Sequence, residues 1–312
     1  MIAQIVFLVI GLAGLVVCAE FFVKGAVSIA RRFHMPDILI GATIVAIGTS
    51  APELVINMFA AVEGEGDIVL SNIIGSNIVN ICLGLGVAAQ FAPIHYNRRA
   101  ARVDLPLGLL GSLLLFLCFV PDADSPVLHR VLGIALLAGF VGYLIMAKSE
   151  PVEPESDGHL GMGRTIVYLL LAAGGLAWCG DVVVDSAVLL ADAVGIPKSV
   201  IGATIIAAGG SLPEVATCFA AARQGRPQIA LGNIAGSQIF NIFGILGLSS
   251  IVARVSFSTF LAVDFLILVA LTVVLLAFVG RHQGQIGRAA GIGFIVAYLA
   301  YLGYQAVLAL GG

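Results

Sequence analysis

Charge is what this sequence has least of. Of its 312 residues only 11% are Asp, Glu, Lys or Arg, against about 25% in a typical soluble domain. That density cannot cover a water-facing surface, so a soluble globular fold is excluded. There is no basic run and the net charge is −3, which leaves no electrostatic footprint for nucleic acid. Cysteine is scarce too. Cys18, Cys82, Cys118, Cys179 and Cys218 all lie in apolar segments, are odd in number and have no metal-ligand spacing. They read as small buried hydrophobes, not as a disulfide framework or a zinc site. The opening run MIAQIVFLVIGLAGLVV lacks a basic leader, so it reads as a spanning helix and not as a cleaved signal.

What the chain has in quantity is apolar surface: 60% hydrophobic residues and a mean hydropathy of +1.10. Apolar runs of about 20 residues recur throughout, as in an all-α polytopic membrane protein. Ten spans are expected, at roughly 3–30, 37–62, 67–91, 103–120, 127–147, 164–192, 198–222, 228–253, 258–280 and 288–310. One linker stands out, KSEPVEPESDGHLGMG at 148–163. It divides the chain into 1–147 and 164–312, five spans each.

Basic residues alternate from loop to loop. Arg31/Arg32, Arg98/Arg99/Arg102, Lys148/Arg164, Arg223/Arg226 and Arg281/Arg288 occupy every second connection, and the others hold only Arg130, Lys198 and Arg254. The positive-inside rule makes the first set cytoplasmic. Both termini are then outside and the linker is cytoplasmic.

The two halves repeat. IGATIVAIGTSAPE at 40–53 returns as IGATIIAAGGSLPE at 201–214, and LSNIIGSNIVNICLGLG at 70–86 returns as LGNIAGSQIFNIFGILG at 231–247. The offset is constant, and polar residues stay in register. An odd number of spans per half implies that the second half enters the membrane upside down. Inverted repeats of this kind build secondary transporters, with the site near the midplane between broken helices.

Each repeat breaks a spanning helix beside a carboxylate. Pro52 cannot donate a backbone N–H and so frees a carbonyl near Gly48; Pro213 does the same near Gly209. Glu53 and Glu214 follow directly, and a carboxylate within a membrane is functional by default. Asn72, Ser76 and Asn80 recur every fourth residue, on one helical face, and Asn233, Ser237 and Asn241 mirror them. Thr49, Ser50 and Ser211 add hydroxyls. Oxygen donors around two carboxylates, with no dense set of His or Cys, favour a hard cation such as Ca²⁺, Na⁺ or Mg²⁺. Two carboxylates balance one divalent ion or two monovalent ones, which is the arithmetic of exchange. Gly41, Gly75, Gly202 and Gly236 read as close helix packing. Asp104 and Asp264 read as helix caps, the loop acids Glu63, Glu65 and Asp67 as a solvated turn, and Glu20 and Lys24 as polar groups near water.

The paired motifs GTSAPE with GSNIVNI, and GGSLPE with GSQIFNI, resemble the two alpha-repeats (40–86 and 201–247 here) of the cation/calcium exchanger superfamily, in its prokaryotic sodium/calcium exchanger branch. The resemblance implies a Na⁺/Ca²⁺ antiporter of the plasma membrane that works by alternating access, with the first and sixth spans sliding against the rest. It implies Glu53 and Glu214 as shared ligands, with Ser50, Ser211, Ser76 and Ser237 as hydroxyl ligands. Asn80 and Asn241 would face the centre, and the carbonyls of Ala46, Thr49, Ala207 and Gly210 would add oxygens. Gly210 stands where the family usually has Thr. Asn241 stands where many relatives, the potassium-dependent ones included, have Asp, which argues for K⁺ independence. No cofactor and no obligate protein partner is implied; the partners are the two ions and the bilayer. The rival on the same fold is H⁺/Ca²⁺ exchange, with the two glutamates as proton carriers. A channel and an intramembrane hydrolase fit less well, because an inverted repeat is unusual in a pore and no His or Lys base accompanies the serines.

Overall fold

Thirty-one residues without an internal proline run from Ile2 to Arg32 as one helix. The computed structural model describes residues 1–96, 99–117, 127–128, 130–147, 162–256, 261–279 and 285–311. Cys118, Arg98, Lys148, Arg281 and the linker up to residue 161 lie outside these. Among the described residues five helices are each long and apolar enough to cross a membrane: Ile2–Arg32, Gly66–Phe91, Met162–Ala193, Pro227–Val252 and Arg288–Leu310. A sixth candidate is bent, with Asp37–Thr49 and Ala51–Glu63 meeting at 49°. The remaining expected spans are shorter or broken helices: Leu105–Leu117, Arg130–Ala147 and Ala262–Val279, and the interrupted segment running from Lys198 to Arg223.

Burial sorts these helices by role. In the most apolar stretch of Pro227–Val252, 89% of residues are buried, and in Gly66–Phe91 72%; in Ile2–Arg32 the share is 17% and in Arg288–Leu310 11%. The helices that carry the two motifs are therefore the core. The outer ones turn Ile2, Phe7, Ile10, Phe21, Val296 and Leu299 outward, a surface suited to lipid. Ile2–Arg32 packs along Met162–Ala193, and glycines let the two approach. A Cβ at Gly14 would meet the Cys179 Sγ at 2.5 Å, and one at Gly175 the Cys18 Sγ at 2.6 Å.

The glycines expected to pack closely divide into two kinds. A Cβ at Gly41 would run into the Ile229 carbonyl, and one at Gly232 into the Ile38 carbonyl; one at Gly236 would lie 2.5 Å from Ala42. There the first broken span lies backbone to backbone against Pro227–Ile239. Gly75 and Gly202, the counterparts of Gly236 and Gly41, have among the described residues no heavy atom beyond their own helix within 4 Å of such a Cβ. Close packing thus holds on one flank and is absent on the other.

Short strand pairs tie the loops together. β1 (Ile94–His95) pairs antiparallel with β4 (Gln285–Ile286), and β2 (Val127–Leu128) with β3 (Val255–Ser256). The loop after the third expected span is thus joined to the one after the ninth, and the loop after the fourth to the one after the eighth. Arg288 adds a hydrogen bond from Nε to the Gln90 carbonyl, 3.1 Å.

Three ion pairs correct or refine the sequence reading. Glu20 and Lys24 do stand near water, as expected: Glu20 pairs with a half-exposed Arg223 at 3.3 Å and stays about one-third exposed itself, and Lys24 is exposed, 5.7 Å above the Phe21 ring. Asp104 is fully buried and pairs with Arg99 at 3.4 Å instead of capping a helix. Arg226 reaches Asp37 at 2.7 Å. Asp264 does sit in the first turn of its helix, but its carboxylate accepts a 2.8 Å hydrogen bond from Gln305 of the last helix. The four described cysteines are free thiols.

Candidate cation site

Both helix breaks have the same geometry. Ser50 (φ −86°, ψ 13°) and Ser211 (φ −91°, ψ 6°) leave helical dihedrals at equivalent places, and a proline follows within the first two positions of the next helix. That helix then starts with Glu53 or Glu214 in its first turn, where the positive end of the helix dipole favours a carboxylate. The breaks are preceded by matched π-helical turns at Gly41–Val45 and Gly202–Ile206. Two more, Asn80–Leu85 and Phe240–Ile245, interrupt the core helices at the asparagines. Such turns insert one residue into the i→i−4 ladder and re-aim side chains, and they recur at functional sites.

Sequence-distant residues meet here. Ser50 Oγ donates to Glu214 Oε1 at 2.8 Å and lies 3.3 Å from Ser237 Oγ. Asn241 Nδ2 donates to Asn77 Oδ1 at 3.1 Å. A Cβ at Gly210, beside the second break, would lie 3.9 Å from Glu53 Oε1, so the carboxyl of the first half faces the break of the second. Glu53, Glu214, Ser50, Ser211, Thr49, Ser76, Ser237, Asn80 and Asn241 are all buried, each 2% exposed or less. Among the described residues, six of their oxygens have no hydrogen-bond partner: Glu53 Oε1 and Oε2, Glu214 Oε2, Ser211 Oγ, Asn80 Oδ1 and Asn241 Oδ1. Leaving buried polar atoms unpaired costs about 1–3 kcal/mol each, more for charged ones. Six in one place are affordable only if something else binds them. Among the described residues no group of three or more His, Cys, Asp or Glu is gathered, so the site is made of neutral oxygens around two carboxyls.

The other candidate residues sort as follows. Thr49 Oγ1 donates back to the Val45 carbonyl at 3.0 Å. The Ala46 carbonyl accepts the Ser50 N–H at 3.0 Å, whereas the Ser211 N–H goes to Ala208 and not to Ala207. Ala46 is buried, while Ala207 and Gly210 border open space. Gly210, with Gly209 and Pro213, lines a cavity of about 650 Å³ that also touches Pro52 and Asp181.

Asn72 and Asn233 support the breaks. Asn57 Nδ2 donates to the Glu53 carbonyl at 2.8 Å and lies 3.3 Å from Asn72 Oδ1. Asn233 Nδ2 sits 3.4 Å from the Cys218 Sγ. Asn57 and Asn77 were not singled out from sequence. Asn77 had a visible signal, an amide at the same place in both motifs (Asn77 and Gln238). Asn57 had none, because its counterpart is Cys218.

Gly210, one of the two departures from the resembled motif, offers a direct test. Among the described residues a Cβ there would have, beyond its own helix, Glu53 Oε1 at 3.9 Å as its only neighbour within 4 Å, and its backbone is right-handed helical. Gly210→Thr should therefore fold normally and gain about 0.5 kcal/mol of helix propensity. Its hydroxyl would stand beside Glu53, and the Na⁺ concentration for half-maximal binding should fall about two- to fivefold. A Na⁺ titration of thermal stability in detergent reads both effects.

A buried cage of unpaired oxygens between two broken helices defines a membrane carrier for a hard cation. The chain belongs to the sodium/calcium exchanger protein family, which matches residues 3–148 and 164–307. It is 30% identical to the sodium/calcium exchanger MaX1 of Methanosarcina acetivorans, over 95% of this chain and 96% of that one. It is 34% identical to the inner membrane protein YrbG of Escherichia coli, over 95% of each. Among solved structures it superposes on the sodium-calcium exchanger NCX_Mj, soaked with Na⁺ and Sr²⁺, at a TM-score of 0.82 and 30% identity, covering 97% of this chain and 98% of that one. It is a helical integral membrane protein of a family of cation/Ca²⁺ antiporters, not of enzymes.

Proposed function

We propose that this protein exchanges Na⁺ for Ca²⁺ across a prokaryotic plasma membrane, by alternating access to the cage around Glu53 and Glu214. The observation that carries this reading is the set of six buried, unpaired oxygens contributed by both halves. One Ca²⁺ or two Na⁺ would neutralise the two carboxylates, so the same cage holds either load but not both. Ser50, Ser76, Ser211 and Ser237 would supply hydroxyls, Asn80 and Asn241 amide oxygens, and Ala46, Thr49, Ala207 and Gly210 carbonyls. A neutral Asn241 leaves the site one negative charge short of a carboxylate-bearing relative, which supports K⁺ independence.

Ten spans in two inverted five-helix halves, 1–147 and 164–312, joined by a cytoplasmic linker at 148–163, is the architecture that goes with this reading. The strand pairings support it. If both halves had the same orientation, β1 and its equivalent β3 would share a membrane face. Instead β1 meets β4 and β3 meets β2, as inversion requires. The basic loops make the β1–β4 face cytoplasmic and the β2–β3 face, with both termini, external.

The test is uptake of radioactive calcium into Na⁺-loaded liposomes diluted into Na⁺-free buffer at clamped pH. Uptake that needs the Na⁺ gradient is the expected result. Uptake driven only by an imposed pH gradient would replace this reading with H⁺/Ca²⁺ exchange on the same glutamates.

A further inference from the structure

The two halves solve one local problem differently. In the first, Asp104 at the start of the fourth expected span is buried, paired with Arg99 at 3.4 Å. The Arg99 guanidinium lies 5.7 Å from the Tyr143 ring centroid, and Tyr143 feels both charges. In the second, Asp264 occupies the matching place at the start of the ninth span. The fifth and last helices begin at Arg130 and Arg288; in that register Tyr301 matches Tyr143. Asp264 Oδ1 accepts a 2.8 Å hydrogen bond from Gln305 Nε2, which also lies 2.8 Å from the Tyr301 hydroxyl. The carboxylate and the tyrosine are thus duplicated. The cation is not. Among the described residues no Lys, Arg or His forms an ion pair with Asp264; its side-chain hydrogen-bond partners are neutral, the Gln305 amide and the Tyr301 hydroxyl.

The second arrangement also has room. Asp264, Tyr301 and Gln305 line a cavity of about 210 Å³ with Ser71, Gly75 and Gly202. On the first flank the counterparts of these last three, Gly232, Gly236 and Gly41, are packed shut. The cavity also touches Ala207, one of the carbonyls proposed above for the central cage. Gln305 now presents its Nε2 to Asp264 and Tyr301; a turn of that amide would present its oxygen instead, and a half-buried carboxylate, an amide oxygen and a phenol oxygen are hard donors carrying a single negative charge, which suits a monovalent cation better than a divalent one.

We propose that Asp264, Tyr301 and Gln305 bind a Na⁺ ion in this cavity, where the first half holds the Arg99 guanidinium beside Asp104 and Tyr143. The site is peripheral to the cage, on the end assigned above as external. A cation held there is positioned to enter at the Ala207 flank, a role that rests on the antiport reading. Binding itself does not rest on it.

Two measurements separate these. In the Glu53→Gln/Glu214→Gln protein the central carboxylates are gone, and Na⁺, compared with choline at equal ionic strength, should still raise the melting temperature and broaden the sodium NMR line. Asp264→Asn added to that background should abolish both effects, and Asp264→Glu should restore them. In liposomes, Asp264→Asn alone should raise the half-saturating external Na⁺ about two- to fivefold, the scale expected for removing one nearby charge. Calcium half-saturation should be unaltered. Na⁺ effects that survive Asp264→Asn, or that are absent before it, overturn the proposal, as does loss in Asp264→Glu equal to that in Asp264→Asn, which marks a structural role. If the wild type shows no Na⁺-driven calcium uptake but Asp264-dependent Na⁺ binding persists, the antiport reading fails and this site stands.

Discussion

Glu53→Gln and Glu214→Gln should each cut calcium exchange by more than about 100-fold while leaving a folded, and in ion-free buffer more stable, protein. The two effects have one cause. Both carboxyls are buried in the membrane-spanning core, where an uncompensated charge costs several kcal/mol. Among the described residues Glu53 has no hydrogen-bond partner at either oxygen, and Glu214 keeps Oε2 unpaired while Oε1 accepts from the Ser50 hydroxyl. An amide in either place removes charge from a site that has almost no donors to repay it. Glu214→Gln should be the milder for folding, because the amide oxygen can keep the 2.8 Å bond from Ser50. Ion binding should respond in the opposite sense. A ligand that binds only the native state stabilises it by about 2.7 kcal/mol at 100-fold excess over Kd, so wild-type protein should melt several degrees higher in Ca²⁺. That increment should vanish in both variants. Retained exchange, or an undiminished Ca²⁺ shift in either variant, would remove these carboxylates from the site.

Much of this was legible before any coordinates. The register of the two repeats could be read because both halves keep their polar residues, and membrane composition does not scatter Asn, Ser and Glu at a constant offset by accident. The helix breaks could be read because Pro52 and Pro213 lack an N–H, whatever surrounds them. Other features have no local signal. Nothing in GATIV or GATII announces a π-helical turn, since the extra residue changes hydrogen bonding and not composition. Ser50 and Glu214 are 164 positions apart, as are Asn77 and Asn241, and a repeat says that two motifs exist, not which atoms touch. Gln238 shows the same limit. It aligns with Asn77, yet its longer side chain donates to Ser112 and Thr272 at 3.2 and 3.0 Å, and Asn80 is left without the amide partner that Asn241 has. That Glu20 stands near water is legible from its place at a span end, but its partner Arg223 is not, because it lies across a helix interface that hydropathy does not locate. Most of the asymmetry between the flanks has no sequence signal, because identical glycines sit at Gly41 and Gly202 and at Gly75 and Gly236; only Ser71, opposite Gly232, marks a difference.

That asymmetry gives a second large effect. Gly236→Val should abolish folding, whereas Gly75→Val, at the equivalent place, should yield a stable protein that no longer exchanges ions. At Gly236 a Cβ would lie 2.5 Å from the Ala42 backbone. Backbone cannot rotate away as a side chain can, so the two core helices would have to separate, and an overpacked core costs about 1–3 kcal/mol or more even where side chains give way. At Gly75 and Gly202 the same groups meet open space and border the 210 Å³ cavity, so valine fits the conformation described here. Alternating access in an inverted repeat exchanges the conformations of the two halves. The opposite state should then close the flank of Gly75 and Gly202 as tightly as the flank of Gly41 and Gly236 is closed now. Valine at Gly75 or Gly202 would block that closure and hold the carrier in one state. The expected result is a melting temperature within a few degrees of wild type, a normal Ca²⁺-induced shift, and calcium uptake reduced at least tenfold. Normal uptake by Gly75→Val and Gly202→Val would mean that this flank does not close during transport, and the glycines there would be left with no role in the cycle.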